Sequence, residues 1–285
     1  MRNFYSGHAC DEEMSEQLSP RARDLKILCD NAAKAVFDAV KEMAGSAGAG
    51  QNVKMGADGT PTKQIDSAAE NAVLDTLRAS GLGFKVLSEE IGEVLIGEKP
   101  DYFLHLDPLD GTFNAIAGIP FYSVSIYLSR GDFHFGYICD LAAGTSFYAE
   151  AGRGAYARPG GRLHVSSNAD LSHFSISAYT LRPNTARIAA IGDTVRRIRT
   201  LGSTALEMAL VASGRLDAFV DLRGMMRVVD VAAGKIILEE AGGMVTDGLG
   251  NALELDGNMW QRKDLIGSNG IRHAELLSLI GGGTH

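Results

Sequence analysis

Apolar positions set the first reading. Leu25, Leu28, Cys29, Ala32, Val36, Ala39, Val40 and Met43 recur every three or four residues, the spacing of one helix face. Ser19-Pro20 supplies a capping hydroxyl and then a proline at the first helical position. Gly45 closes the run, so a long amphipathic helix is expected here. The small residues from Gly45 to Gly50 form a linker; their G-x-G follows a helix, not a strand, and lacks the third glycine of a dinucleotide site. A second helix is expected from about 65 to 80, closed by Gly81. Short strand-like runs follow at 84–88, 102–106, 122–129, 133–139 and 145–150, several joined by tight turns such as Ser129-Arg130-Gly131-Asp132. This half reads as an antiparallel sheet backed by two helices.

From about Leu171 the texture changes. Expected elements are a strand at 174–178, helices at 184–193 and 203–213, and a strand at 216–222. A helix at 230–241, strands at 244–247 and 264–268, and a helix at 271–280 complete the chain. Alternation of this kind predicts a mostly parallel sheet with covering helices. The chain is therefore of the α/β (α+β) class. It divides into a polar leader at 1–18, an α+β unit at 19–168 and an α/β unit at 169–285.

Composition narrows the function. The formal charge is −8 and no basic block is present, which argues against a nucleic-acid or membrane-surface scaffold, because phosphate backbones demand clustered Lys and Arg. Cys10, Cys29 and Cys139 fall in no metal motif and fit free thiols in a reducing cytoplasm. The acidic leader has no apolar signal-peptide core. The uncharged run 111–129 holds Pro120 and alternates like a strand in its second half, so it is not a membrane span.

The chemistry centres on Leu106-Asp107-Pro108-Leu109-Asp110-Gly111-Thr112. A strand delivers Asp107 to its end, and Pro108 fixes a turn that brings Asp107 and Asp110 round to one side with the Leu109 carbonyl. Crowded carboxylates repel, and divalent cations neutralise them. Hard oxygen donors with no Cys or His nearby point to Mg2+ rather than Zn2+. Gly111 and Thr112 offer N–H donors to a phosphate. Two further acidic segments add to this one: Ser88-Glu89-Glu90 after an apolar strand, and Val228-Val229-Asp230-Val231-Ala232-Ala233-Gly234, with an Asp where a helix begins. His105 is read as a core histidine facing away from Asp107.

Together with Thr62-Lys63-Gln64-Ile65-Asp66, Leu201-Gly202-Ser203-Thr204-Ala205-Leu206, Gly214-Arg215-Leu216-Asp217-Ala218-Phe219 and Glu240-Ala241-Gly242-Gly243, these segments resemble the inositol monophosphatase family. It belongs to the Mg2+-dependent, lithium-sensitive phosphatase superfamily that includes fructose-1,6-bisphosphatases. The resemblance implies a layered αβαβα sandwich, a homodimer, and two Mg2+ per active site with a weaker third. Glu89, Asp107 and the Leu109 carbonyl match the ligands of the first ion; Asp107, Asp110 and Asp230 match those of the second. Glu89 and Glu90 match a third site. Asp66 and Thr112 match the pair that orients and deprotonates the attacking water, while Gly111 and Thr112 match the phosphate-binding N–H groups. Gly202, Ser203 and Thr204 match the segment that lines the substrate alcohol, and Asp110 and Asp230 border it.

The pattern departs at three places, one of them Asn114-Ala115, where members often carry Asn-Phe. Val229 stands where common members carry Trp, which leaves more room in the pocket. Arg223 stands where animal-type members carry an acidic residue that reads inositol hydroxyls. Asp221-Leu222-Arg223-Gly224 with Arg227 looks more like archaeal-type members that handle both inositol phosphates and fructose-1,6-bisphosphate. Arg199 and Arg223 are expected in the pocket; Arg196 and Arg197 fit a solvated face equally well. The expected activity is hydrolysis of small polyol or sugar phosphates by direct attack of water. Histidinol phosphate and 3′-phosphoadenosine nucleotides are the alternative substrates, and a silent sugar-phosphate-binding regulator is the alternative class. A P-loop, a G-x-S-x-G elbow and an H-E-x-x-H motif are all absent from the sequence.

Overall fold

The structure is a computed structural model that describes residues 17–57, 59–180, 185–255 and 262–281. Most of the polar leader, and with it Cys10, lies outside the described residues. The first helix, α1 (Pro20–Val40), starts as expected: the Ser19 hydroxyl accepts from the Ala22 N–H at 3.2 Å. It packs on α2 (Gln64–Ala79) through Leu25, Cys29, Ala32 and Val36 against Ile65, Ala69, Val73 and Leu77. Between them β1 (Asn52–Met55) and β2 (Pro61–Lys63) form a hairpin that the hydrophobic pattern does not announce. All four residues of β1 are exposed, so no buried alternation marks it.

The larger sheet comprises β3 (Phe84–Ser88), β4 (Gly92–Ile96), β5 (Tyr102–Asp110), β6 (Ser123–Arg130), β7 (Phe133–Asp140), β8 (Thr145–Glu150), β9 (Gly154–Arg158) and β10 (Gly161–Arg162). Its order is β10-β9-β8-β7-β6-β5-β3-β4, antiparallel throughout except for the parallel β3–β5 pair. A short helix, α3 (Thr112–Ala117), follows β5. One face of the sheet, with Leu104, Leu106, Val124 and Leu128, meets α1 and α2.

The second sheet contains β11 (Ser175–Tyr179), β12 (Arg197–Arg199), β13 (Ala218–Met226), β14 (Met244–Asp247) and β15 (Lys263–Ser268), in the order β12-β11-β13-β15-β14. The expected parallel pairing holds for β12–β11 and β11–β13. It does not hold for β13–β15 and β15–β14, which are antiparallel. Among the described residues no helix separates β14 from β15, so the chain returns beside β14 without the crossover that parallel neighbours need. The intervening helices are α4 (Thr185–Gly192), α5 (Thr204–Ala212) and α6 (Val228–Glu240), and α7 (His273–Gly281) ends the described fold.

Helices α5 and α6 lie between the sheets. Ala205, Met208, Ala209, Ala232, Ala233 and Ile237 share one core with Tyr127, Ile138 and Phe147 of the first sheet and Phe219, Val245 and Leu265 of the second. Helices α4 and α7 cover the outer face of the second sheet through Ile191, Leu276 and Ile280. The layers are therefore αβαβα, as the resemblance implies. Seating α6 this tightly requires Gly136 on β7, where a Cβ would stand 2.3 Å from the Ile236 side chain.

Candidate active site

Four segments bring acidic side chains to the ends of β3 and β5. Glu89 and Glu90 follow β3 in the turn to β4. That turn is tied to β5 by the Glu89 N–H, which donates to the Leu106 carbonyl at 3.3 Å. It is also held from α2 by the buried Glu70, whose Oε1 accepts from the Ser88 hydroxyl at 2.6 Å and from the Ile91 N–H at 3.0 Å. Glu90 itself accepts from the Thr62 hydroxyl.

Asp107 is displayed by a bulge. The strand does not end at Leu106 as the sequence suggests but runs on to Asp110. Asp107 pairs with Ser125 and Asp110 with Ser123, so β5 uses one more residue than β6 between the two aspartates. Pro108 has no N–H to give the ladder, and a bulge is where a strand accommodates it. The Leu109 N–H then donates to Asp107 Oδ1 at 3.1 Å.

Asp66 and Asp230 are aimed by a shared local device. Each is the third residue of its helix, and its carboxylate reaches back to the N–H of the residue before the helix. Lys63 N–H donates to Asp66 Oδ2 at 3.3 Å, and Arg227 N–H to Asp230 Oδ2 at 2.9 Å. Asp230 thus lies one turn inside α6 instead of capping it.

The outcome is a trio. One carboxylate oxygen each from Glu89, Asp107 and Asp230 lie within 4.8 Å of one another. Asp110 and Glu90 are not in this trio. Asp110 turns to the start of α5, where its carboxylate accepts from the Ser203 hydroxyl at 2.5 Å and from the N–H groups of Ala205 and Thr204 at 2.8 and 3.2 Å. Thr112 opens α3 with its Oγ1 2.8 Å from Asp66 Oδ1 and 3.0 Å from the Leu109 carbonyl. The Leu109 carbonyl therefore stands at the site, with one of its two lone pairs near a hydroxyl.

Gly202 lies against α3 with φ +98°, a conformation that favours glycine, and a Cβ there would stand 2.6 Å from Asn114 Nδ2. Asn114 bridges the two segments, donating to the carbonyls of Phe121 and Leu201 at 2.8 and 2.7 Å. Behind the loop the buried Glu207 accepts from the Leu201 N–H at 2.8 Å and from the Tyr179 hydroxyl at 2.5 Å, and Tyr179 in turn accepts from the Gly202 N–H at 2.5 Å. Ser203 and Thr204 are buried at the start of α5.

The arginines separate. Arg223 lies over the Tyr179 ring at 4.6 Å and is held by the buried Asp221 through Nε and Nη2, which puts it beside the Gly202 loop. Arg199 is half-buried on the edge strand β12, with a buried Nη1 that has no hydrogen-bond partner among the described residues. Arg196 and Arg197 are exposed.

Two sequence expectations need correction. His105 is buried, but it shares a face with Asp107: it stands opposite Tyr127 with ring centroids 5.4 Å apart, on the side that packs against α5 and α6. Residues two apart in a strand point the same way. Val229 opens no space, because it is only 2% exposed and packed with Leu87.

Sequence reasoning also missed the role of Arg227. Its Nη2 stands 2.5 Å from Glu89 Oε1 and 2.9 Å from Asp230 Oδ1. The three-residue spacing to an acidic residue at a helix start was the available signal for the local half of this pairing.

Burial and mutual repulsion shape the charges. Burial raises Asp107 well above the usual carboxylate range, helped by Glu89, Asp110 and Asp230. It pushes Glu89 up to about 8, with Asp230 adding to the shift and Arg227 opposing it. Asp66 is raised to about 7 by burial, against the hydrogen bond from Thr112. Such a site fits a hard divalent cation, because oxygen donors that repel each other lose that repulsion on binding one. A stability prediction follows from the sign of these shifts. The folded metal-free carboxyls keep protons that the unfolded chain releases, so stability falls as pH rises from the ordinary carboxylate range to about 8. Thermal melts in chelator across that window are expected to show a falling Tm, flattened by Mg2+; a Tm that climbs in chelator contradicts the charge assignment.

Comparisons with known proteins show what the chain as a whole is similar to. Residues 22–281 match the model described as "Inositol monophosphatase family". A fructose-1,6-bisphosphatase/inositol-1-monophosphatase of Methanothermobacter thermautotrophicus is 38% identical over 264 residues, covering 87% of this chain and 93% of that protein. A bifunctional NADP phosphatase/NAD kinase of Methanococcus maripaludis is 36% identical over 280 residues; 90% of this chain is covered, but only 49% of that protein, so the chain spans about half its length. Among solved structures, a Pyrococcus horikoshii protein with similarities to inositol-1 monophosphatase has a TM-score of 0.80 at 31% identity, covering 93% of this chain and 99% of that one.

Proposed function

The chain belongs to the inositol monophosphatase family, and from that premise we propose that it is a Mg2+-dependent phosphomonoesterase of small sugar and polyol phosphates. The observation that carries the reading is the meeting of Glu89, Asp107 and Asp230 within 4.8 Å, beside a Thr112–Asp66 pair 2.8 Å apart. Glu89, Asp107, the Leu109 carbonyl and Asp230 would hold two Mg2+, with Asp110 at the second and Glu90 at a weaker third. Bound there, Mg2+ screens the phosphate oxygens, makes a water a better nucleophile and stabilises the leaving alkoxide.

The chain's own groups supply the rest. Thr112 Oγ1 orients the attacking water, and its hydroxyl proton lies on the path to Asp66 Oδ1. As the water oxygen bonds to phosphorus and the bond to the substrate alcohol breaks, the water's proton passes through Thr112 to Asp66. The N–H groups of Gly111 and Thr112 hold the phosphate. The Gly202-Ser203-Thr204 segment borders the alcohol portion, and the carboxylate of Asp110 fixes it by holding the start of α5. No Cys, His or Ser nucleophile is needed, so no covalent intermediate forms.

Arg223 gives the substrate its second reading. Stacked on Tyr179 and steadied by Asp221, its guanidinium is preorganised beside the Gly202 loop, where the far phosphate of fructose-1,6-bisphosphate would meet it. Arg199, with an Nη1 unpartnered among the described residues, would support that phosphate. Arg223→Ala is expected to raise KM for fructose-1,6-bisphosphate roughly tenfold more than for inositol-1-phosphate; equal losses on both would count against a second-phosphate role. The reading extends to a homodimer in the cytoplasm, and the free, buried Cys29 and Cys139 support a reducing compartment.

The deciding experiment is phosphate release with Mg2+ from inositol-1-phosphate, fructose-1,6-bisphosphate, histidinol phosphate, a 3′-phosphoadenosine nucleotide and NADP. The proposal expects the first two to be the best substrates. Preference for a nucleotide would move the assignment, and no release from any of them would favour a silent phosphate-binding relative.

A further inference from the structure

The acidic trio carries its own cation. Arg227 precedes α6 and is only 10% exposed at its side chain. Its Nη2 contacts Glu89 Oε1 at 2.5 Å and Asp230 Oδ1 at 2.9 Å, and its Nε contacts Asp230 Oδ2 at 3.2 Å. One guanidinium thus spans two of the three clustered carboxylates, one of them 138 residues away in the chain. Asp230 Oδ2 also accepts from the Arg227 N–H at 2.9 Å, a backbone contact that any side chain at 227 leaves in place. Asp107 is held by the Leu109 N–H, and Asp110 by the start of α5.

A divalent ion held by Glu89 and Asp230 would draw on the oxygen atoms that the guanidinium now contacts. A unit positive charge a few ångströms from a divalent cation is repelled strongly where water is scarce. The guanidinium is carried on a methylene stem with several rotamers, which gives it room to withdraw.

We propose that Arg227 is a positioning residue that stands in for the metal. It holds Glu89 and Asp230 in register while the site is metal-free, and it gives up those oxygens when Mg2+ enters. Its presence makes the empty site more stable and Mg2+ binding weaker, so it sets the Mg2+ concentration at which the site fills. This rests on the phosphatase reading only in taking the trio as the metal site, and Mg2+ binding is measurable without any turnover.

The test is calorimetric titration of Mg2+ into the wild-type protein and Arg227→Met, with thermal melts of both in chelator. The variant is expected to bind Mg2+ about tenfold tighter or more, to melt at lower temperature in chelator, and to gain more Tm on adding Mg2+. A role in packing alone would lower the Tm in chelator and in Mg2+ alike and leave the Kd unmoved. Equal or weaker Mg2+ binding by folded Arg227→Met overturns the proposal. Should Arg227→Met fail to fold, Arg227→Lys decides. Its compact ammonium cannot span both carboxylates as the fork does, so its Mg2+ binding is expected to be tighter than wild type by a smaller factor, and unchanged or weaker binding overturns the proposal equally. Absence of phosphatase activity with this pattern intact would refute the reaction and leave the exchange standing.

Discussion

Asp107→Asn is expected to lower kcat by about a thousandfold or more, because it removes the carboxylate proposed to be shared by both metal ions. The side chain keeps its shape, and its Oδ1 can still accept from the Leu109 N–H at 3.1 Å, so the bulge survives. The variant also carries a signature that a folding defect would not. Asp107 is buried among Glu89, Asp110 and Asp230, which raise its pKa together with burial. Asn stays neutral there without taking up a proton, so the cost of keeping Asp107 protonated in the metal-free protein disappears, and the Tm in chelator should hold or rise while the gain on adding Mg2+ shrinks. Steady-state phosphate release with paired thermal melts checks both halves. Near-wild-type turnover would remove the metal assignment.

Asp66→Asn is expected to cost about a hundredfold to ten-thousandfold in kcat, the range for losing a general base. Asn Oδ1 can still accept from Thr112, but it cannot take the proton that Thr112 passes on. Asp66 is not a member of the trio, so Mg2+ binding should stay near wild type, which separates this variant from Asp107→Asn. Burial raises Asp66 to about 7, and bound cations draw it lower. The wild-type kcat/KM should therefore fall toward acid from a point no higher than about 7, and the variant's residual activity should lack that limb. A variant that keeps full activity, or loses Mg2+ binding in parallel, would place Asp66 in another role.

What the chain reveals before folding depends on how local the signal is. The aspartates of the 107–110 segment were readable because residue type and spacing over a few positions carry their chemistry, and α1 and α2 because the apolar period is long and regular. The β1 hairpin was hidden because its strand is exposed throughout, leaving no alternation to see. Asp107 and Asp110 were expected to converge, yet the bulge after Pro108 shows Asp107 to the trio while Asp110 caps α5. Only the register against β6 exposes that difference. Glu70 and Glu207 escaped notice, and Arg227 was read only as part of the specificity pattern, for a related reason. Each is a buried charge whose meaning lies in distant partners: Glu70 holds the Ser88–Ile91 turn, Glu207 the Leu201 loop, and Arg227 meets Glu89 across 138 residues. A buried ionisable group must find such partners to be tolerated, but the sequence does not say where they are.

The central claim is that Glu89, Asp107 and Asp230 together hold the divalent ions that activate water. Anomalous diffraction from crystals soaked in Mn2+ and inorganic phosphate tests it directly. The account predicts a strong Mn2+ peak bounded by those three carboxylates, with the phosphate against the Gly111 and Thr112 N–H groups. A trio left without metal, or Mn2+ bound only at other carboxylates, would contradict it.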